Sequence, residues 1–222
     1  MALDVTTKDC TALSDSELAE MADICADGGH GYGVGDLSKQ AELWVLVTLV
    51  REGNHLRGFS FSTLERIGGT PCILLGVASV KRTAKRDSVL RSIIGDNFRR
   101  ALMAFPDEDV LLGTRMSRAC GFDGFKHLVD VIPRPDHKPS GEERAWGRRL
   151  AKRFGIDNGY YDDQTFTITG DESAPLVLDH ESLKPEKIDT EVAAQFSHLD
   201  STRGDCLVTC GWIMAEELLK FG

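Results

Sequence analysis

Pro71-Cys-Ile-Leu-Leu-Gly-Val-Ala-Ser-Val80 is apolar and compact in its side chains, and Lys81-Arg-Thr-Ala-Lys-Arg86 follows it as a basic turn. Asp87-Ser88 then opens a stretch patterned as a helix as far as Phe105. Val89, Leu90, Ile93, Ile94, Phe98, Ala101, Leu102 and Phe105 recur there at the spacing of one buried helical stripe, while Arg91, Asp96, Arg99 and Arg100 occupy the far face. A strand that feeds a helix through a tight turn leaves the first helical N–H groups unpaired, where they and the positive end of the helix dipole attract anions. Lys81, Arg82, Lys85, Arg86 and Arg91 add formal charge to that place in a chain whose net charge is −9. The segment predicts a site for a phosphate-bearing ligand, against the plainer reading of a solvated basic turn.

Upstream, Ser14-Asp-Ser16 offers an N-cap to a helical stripe of Leu18, Met21, Ala22 and Cys25. Asp27-Gly-Gly-His-Gly-Tyr-Gly-Val-Gly35 carries five glycines and predicts a loop. Residues 36–43 predict a short second helix and residues 44–50 a buried strand. In residues 56–67, Phe59, Phe61 and Thr63 face one way and Ser60, Ser62 and Leu64 the other, so this strand pairs back as a hairpin. Gly68-Gly-Thr70 turns the chain into the strand quoted above, and Val110-Leu-Leu-Gly-Thr114 begins the next strand after the long helix.

Beyond Val131 the texture changes. Ile132-Pro-Arg-Pro-Asp-His-Lys-Pro139 is held extended by its prolines, and Ser140-Gly-Glu-Glu143 is a capping box for a helix to residue 154, made basic by Arg144, Arg148, Arg149, Lys152 and Arg153. Residues 160–169 predict a strand, 185–199 a helix, 206–213 a closing strand and 215–221 a short last helix. The chain divides on this reading into a core of residues 1–131, an insertion or extension of residues 132–201, and a closing strand and helix of the core in residues 202–222.

With 41% hydrophobic and 27% charged residues, the chain has the composition of an ordinary globular protein. No apolar run reaches the length of a membrane span, and the first residues have neither a basic nor an apolar leader region, so a cytoplasmic protein without a membrane partner is expected. The acidic balance, 35 acidic against 26 basic residues, argues against nucleic acid as a partner. Cys10, Cys25, Cys72, Cys120, Cys206 and Cys210 lack the spacing of a metal site or a disulfide framework, and Cys206 and Cys210 alternate with apolar residues as in a buried strand.

The order helix, helix, three strands, basic turn, amphipathic helix, strand resembles the GNAT superfamily of acyl-CoA-dependent N-acyltransferases over residues 10–128. In that family the turn reads Arg or Gln, two variable residues, Gly, one variable residue, then Gly or Ala. Here Arg82-Thr-Ala-Lys85-Arg86-Asp87 stands in its place, with Leu90 at the apolar helix position, so the chain resembles a divergent member with an atypical pyrophosphate-binding turn. The resemblance implies a mixed α/β (α+β) fold with a mainly antiparallel sheet flanked by helices. It implies acetyl-CoA or another acyl-CoA as cofactor, held by Ala78, Ser79, Val80, Arg82, Lys85, Arg86, Asp87 and Ser88. It also implies acyl transfer to a small-molecule amine by direct attack; residues 132–201, outside the resemblance, are expected to form one wall of the acceptor site or the contact of a homodimer.

Such a transfer needs a base for the amine and an acid for the leaving thiolate. Glu65 is the nearest candidate base, and Ser117 and Cys120, after the strand at Val110, are candidate acids; their plainer readings are an exposed hairpin glutamate, a helix cap and a packed small residue. His30 and Tyr32 in the glycine loop are candidates to line the acceptor pocket. Asp179-His180-Glu181 reads as an acid/base cluster, but adjacent residues on an extended chain point to opposite sides. A non-catalytic binding or assembly module, and a GNAT-fold enzyme with other chemistry on a phosphate-containing substrate, stay open beside acyl transfer.

Overall fold

The apolar alternation of residues 46–80 produces three strands joined by tight turns, and everything else in the chain is arranged around them. In the computed structural model, which describes residues 2–28, 31–172 and 177–222, β1 (Leu3–Asp9) is followed by α1 (Asp15–Asp27) and α2 (Val34–Leu43). The meander β2 (Leu46–Glu52), β3 (His55–Ile67), β4 (Thr70–Val80) comes next, then α3 (Arg86–Ala104) and β5 (Val110–Met116). The remaining elements are β6 (Val129–Ile132), α4 (Gly141–Arg153), β7 (Tyr161–Asp162), β8 (Thr167–Ile168), β9 (Leu178–Asp179), α5 (Thr190–Ala194), β10 (Cys206–Ile213) and α6 (Ala215–Leu218). None of the described helices is long and apolar enough to cross a membrane.

The strands form one sheet in the order β1-β2-β3-β4-β5-β10-β8-β7, with β6 beside β10 and β9 beside β4. All pairings are antiparallel except β4 with β5 and β4 with β9. One face carries α3, whose Val89, Leu90, Ile93 and Phe98 pack with Ile73, Leu75, Val110 and Leu112. The other face is covered by α1, α2 and α4, where Met21, Leu37 and Leu150 meet Phe59, Phe61, Leu74 and Leu111. Burial of side chains of this size stabilises the fold by roughly 1.5–3 kcal/mol each.

Two irregularities position the candidate site. The β3–β4 register passes from Ser60 opposite Ala78 to Ser62 opposite Leu75, so Gly76 and Val77 together face Phe61 in a β-bulge. A side chain at Gly76 would run into the Trp44 indole, so the bulge and its glycine belong together. Parallel pairing of β4 with β5 is confined to Cys72–Leu74 against Leu111–Gly113, and beyond the bulge β9 pairs with β4 through Ala78 opposite Leu178 and Ser79 opposite Asp179.

The fold departs from several expectations. β1 has no counterpart in the sequence reading; it is an edge strand tied to α3, with Thr7 Oγ1 donating to Asp96 Oδ2 at 2.6 Å. Residues 160–169 form the short hairpin β7–β8 instead of one strand, because Asp162 accepts the Gln164 N–H and turns the chain. Of residues 185–199 only Thr190–Ala194 is α-helical, started by the Asp189 side chain. The long helix is preceded by Lys85 at its N-cap position, not by Asp87-Ser88.

Candidate active site

The gap between β4 and β5 is filled by the chain itself. Past the bulge, the Ala78 N–H donates to the Val177 carbonyl at 3.3 Å, and residues 177–183 form a strap that pairs with β4 at Leu178 and Asp179. Asp179, 4% exposed, accepts from Ser79 Oγ at 3.1 Å and from Arg82 Nη2 at 2.9 Å. Glu181 Oε2 lies 3.3 Å from Arg82 Nε. Gly28, at the end of α1, allows this approach, since a Cβ there would collide with the Asp179 carboxylate.

On the α3 side the strap is held by a second set of contacts. The Leu183 N–H donates to Asp87 Oδ1 at 3.0 Å, and Ser182 Oγ donates to Asp123 Oδ2 at 3.2 Å. His180, fully buried, places Nδ1 3.3 Å from the Cys120 carbonyl oxygen and Nε2 3.2 Å from Asp87 Oδ1, the latter without hydrogen-bond alignment. Burial pushes the His180 imidazole below its ordinary value and outweighs the neighbouring Asp87 and Asp123 carboxylates. The Arg82–Asp179 pair is largely buried, so removing one partner leaves a charge that costs about 3–5 kcal/mol, whereas Glu181 is exposed and its pair is screened by solvent.

The basic turn is therefore neutralised in part from within, at Arg82 and Lys85. Arg82 faces two strap carboxylates, and Lys85 Nζ contacts Glu52 Oε1 at 2.5 Å, beside Arg57 at 3.0 Å from the same carboxylate. The two sides of an extended chain serve two purposes: Asp179 and Glu181 turn to Arg82 while His180 turns to Asp87 and Cys120. That alternation was legible in Asp179-His180-Glu181; what they touch was not, because β4 lies about a hundred residues away in sequence.

Across the gap, the α1–α2–α4 face holds a buried polar cluster. Tyr32, Cys25, Val77, Ser79, Val177 and Asp179 surround a cavity of about 10 Å³. Arg115, projecting from β5 on this side, is 3% exposed with its guanidinium over the Phe154 ring at 4.7 Å. Desolvation raises the Cys25 thiol to about 12 and pushes the Tyr32 phenol upward as well, so both are neutral.

The structure brings Ala78, Ser79, Val80, Arg82, Lys85, Arg86, Asp87 and Ser88 to one end of the gap, the first three on β4 and the last three in the first turn of α3. Ser117 and Cys120 follow β5 on the opposite wall, with the Cys120 carbonyl against the strap. Tyr32 lines the cavity; His30 lies outside the described residues. Glu65 is not brought to the gap: it stands opposite Cys72, at the closed end of β4, paired with Arg153 Nε at 2.7 Å and Nη2 at 3.0 Å. The sequence reading missed Arg115, Asp179 and Glu181 as members of one site.

No family model and no curated protein matches the chain. Among solved structures it is similar to the ribosomal-protein-S18-alanine N-acetyltransferase from Escherichia coli, at 9% identity, with 95% of each chain covered and a TM-score of 0.48. It is also similar to an aminoglycoside 6'-acetyltransferase type Ii, at 14% identity over 59% of this chain and 86% of that one, TM-score 0.43. A third is an acyl-CoA N-acyltransferase from Pseudomonas aeruginosa, at 15% identity over 62% and 93% of the two chains, TM-score 0.43.

Proposed function

We propose that the chain is a GNAT-type N-acyltransferase whose acyl-CoA groove is the β4–β5 gap, closed in this conformation by residues 177–183. The observation that carries the reading is the parting of parallel β4 and β5 beyond Leu74 and Gly113, at the Gly76–Val77 bulge, beside a basic turn that enters the N-terminus of α3. A parted pair of parallel strands exposes backbone donors and acceptors that an extended ligand can adopt, and the helix start supplies an anion site.

With the strap docked, the residues do not fit acyl-CoA: the Ala78 N–H is bonded to Val177, and Arg82 is bonded to Asp179. The strap has the form of the ligand it replaces, an extended backbone along β4 followed by negative charge at Arg82. Binding of the acyl donor therefore requires residues 177–183 to leave. Ala78, Ser79 and Val80 would then offer backbone groups, and Arg82, Lys85, Arg86 and the α3 N-terminus would face its phosphates. Ser117 and Cys120 stand on the opposite wall as candidates to protonate a leaving thiolate. The acceptor is a small-molecule amine entering from the Tyr32 side.

A non-catalytic module is the second reading, favoured by the same strap, since a permanently filled gap has no room for a donor. Thiol release from acetyl-CoA across a panel of amines separates the two. Acyl transfer predicts turnover that falls at least tenfold in the Arg82→Ala/Arg86→Ala variant; no turnover with any amine, in a protein that also fails to bind coenzyme A at millimolar concentration, removes the acyltransferase reading.

A further inference from the structure

Arg115 is the one residue of the buried cluster whose charge is not balanced by a described neighbour. A guanidinium stays protonated at any ordinary pH, and a buried cation is costly unless an anion accompanies it. Among the described residues no hydrogen-bond acceptor meets its Nε, and its contacts are the Phe154 ring and the neighbourhood of Tyr32 and Cys206. Burial holds the Cys206 thiol at about 11 and the Tyr32 phenol above its ordinary value, so neither supplies a negative charge. The carboxylates of the surrounding elements are engaged elsewhere: Asp179 with Arg82, Asp205 with Arg203, and Asp36 with the Gly33 N–H.

The place of this cation is informative. Arg115 lies two residues beyond Gly113 on β5, and Val77, in the bulge of β4, lies three residues beyond Leu74, the residue paired with Gly113. At roughly 3.3 Å per residue, with the bulge absorbing one position, the two stand at a similar height on either side of the gap. Val177 and Asp179 of the strap form a wall of the small cavity on this side, so the same movement that clears the donor groove enlarges this pocket.

We propose that Arg115 binds the carboxylate of the acceptor, and hence that the amine acylated by this protein is an amino acid or another amine bearing a carboxylate. A guanidinium presents two parallel N–H groups that match a carboxylate, and a single cation among Phe154, Tyr32 and Cys206 balances a monoanion but leaves a phosphate ester half-compensated. The substrate class rests on the acyltransferase reading; the anion site itself does not.

The test compares matched acceptors with and without the carboxylate, phenylalanine against phenethylamine and histidine against histamine, with acetyl-CoA as donor. The carboxylate-bearing member is expected to have a KM at least tenfold lower, and Arg115→Gln to abolish that preference while leaving the coenzyme A affinity within twofold. The same compounds are titrated calorimetrically with coenzyme A present and absent, so binding is read even without turnover. Coenzyme A that fails to bind while a carboxylate binds in an Arg115-dependent way defeats the acyltransferase reading and leaves the site standing. Arg115→Met in the ligand-free protein is expected to raise Tm by about 2–4 °C, since it removes an uncompensated buried charge. A carboxylate preference that persists in Arg115→Gln, no carboxylate-dependent binding in any arm, or a lowered Tm in Arg115→Met would overturn the proposal.

Discussion

Glu65 and Arg115 make opposite points about reading single residues. Glu65 looks like a base because it is the carboxylate nearest the central strand in sequence, yet the β3–β4 register carries it to the closed end of the sheet, against Arg153. Its pair is partly exposed, so the Glu65→Gln variant is expected to lose about 0–1 kcal/mol in chemical denaturation and to keep its turnover within twofold. A loss of turnover of a hundredfold with an unchanged melting curve would restore Glu65 as the base. Arg115 follows Gly-Thr in a strand and gives no sign in sequence that its side chain is buried. That depends on Phe154, Tyr32 and Cys206, each brought in from a different element. Cysteine burial, by contrast, was legible: Cys206 and Cys210 sit inside β10 as their alternation with apolar residues indicated.

At the scale of elements, the strand, basic turn and helix at residues 71–105 were readable because their periodicities of two and 3.6 are long and uninterrupted. The strap was not, since seven residues in extended form carry no period and their partners are all distant. Its docking carries a pH dependence through His180. The groups facing this imidazole are the Cys120 carbonyl and Asp123 from one turn, Asp87 from α3 and Arg82 from the basic turn, with Asp179 and Glu181 on the strap itself. Burial depresses its pKa below the ordinary 6.5 in the docked state. A released strap therefore binds a proton that the docked strap refuses: docking is strongest above about pH 6.5 and weakens as pH falls below it, through the depressed value. Coenzyme A affinity, measured calorimetrically between pH 7.5 and 5.5, is expected to rise severalfold on acidification, and this slope is expected to flatten in His180→Gln. An affinity that falls over the same range in both proteins would contradict the role of His180.

For the whole molecule, the mixed sheet flanked by helices was an expectation of the family resemblance, which says nothing of its edges. β1 carries polar residues at its centre, and it is fixed by Thr7 on Asp96, which Arg99 and Arg100 also hold at 2.6 and 2.8 Å. Residues 132–201 read as an appendage because of the prolines at their entry; in the fold α4 lies against the central sheet and β9 enters the β4–β5 gap. Part of the added segment thus fills the gap that the first part of the chain builds, and on the proposed function it must leave before a donor can bind. A strap that must leave lowers the apparent affinity by the fraction of molecules in which it is released.

The most direct measurement is calorimetric titration of coenzyme A into the wild-type protein and into the Asp179→Ala/Glu181→Ala variant, which removes both strap carboxylates from Arg82. Competition between strap and donor predicts binding to both proteins, at least tenfold tighter in the variant, with the gain abolished by adding Arg82→Ala. Equal affinities, or no binding to a folded variant at millimolar coenzyme A, would contradict a donor groove closed by the chain's own strap.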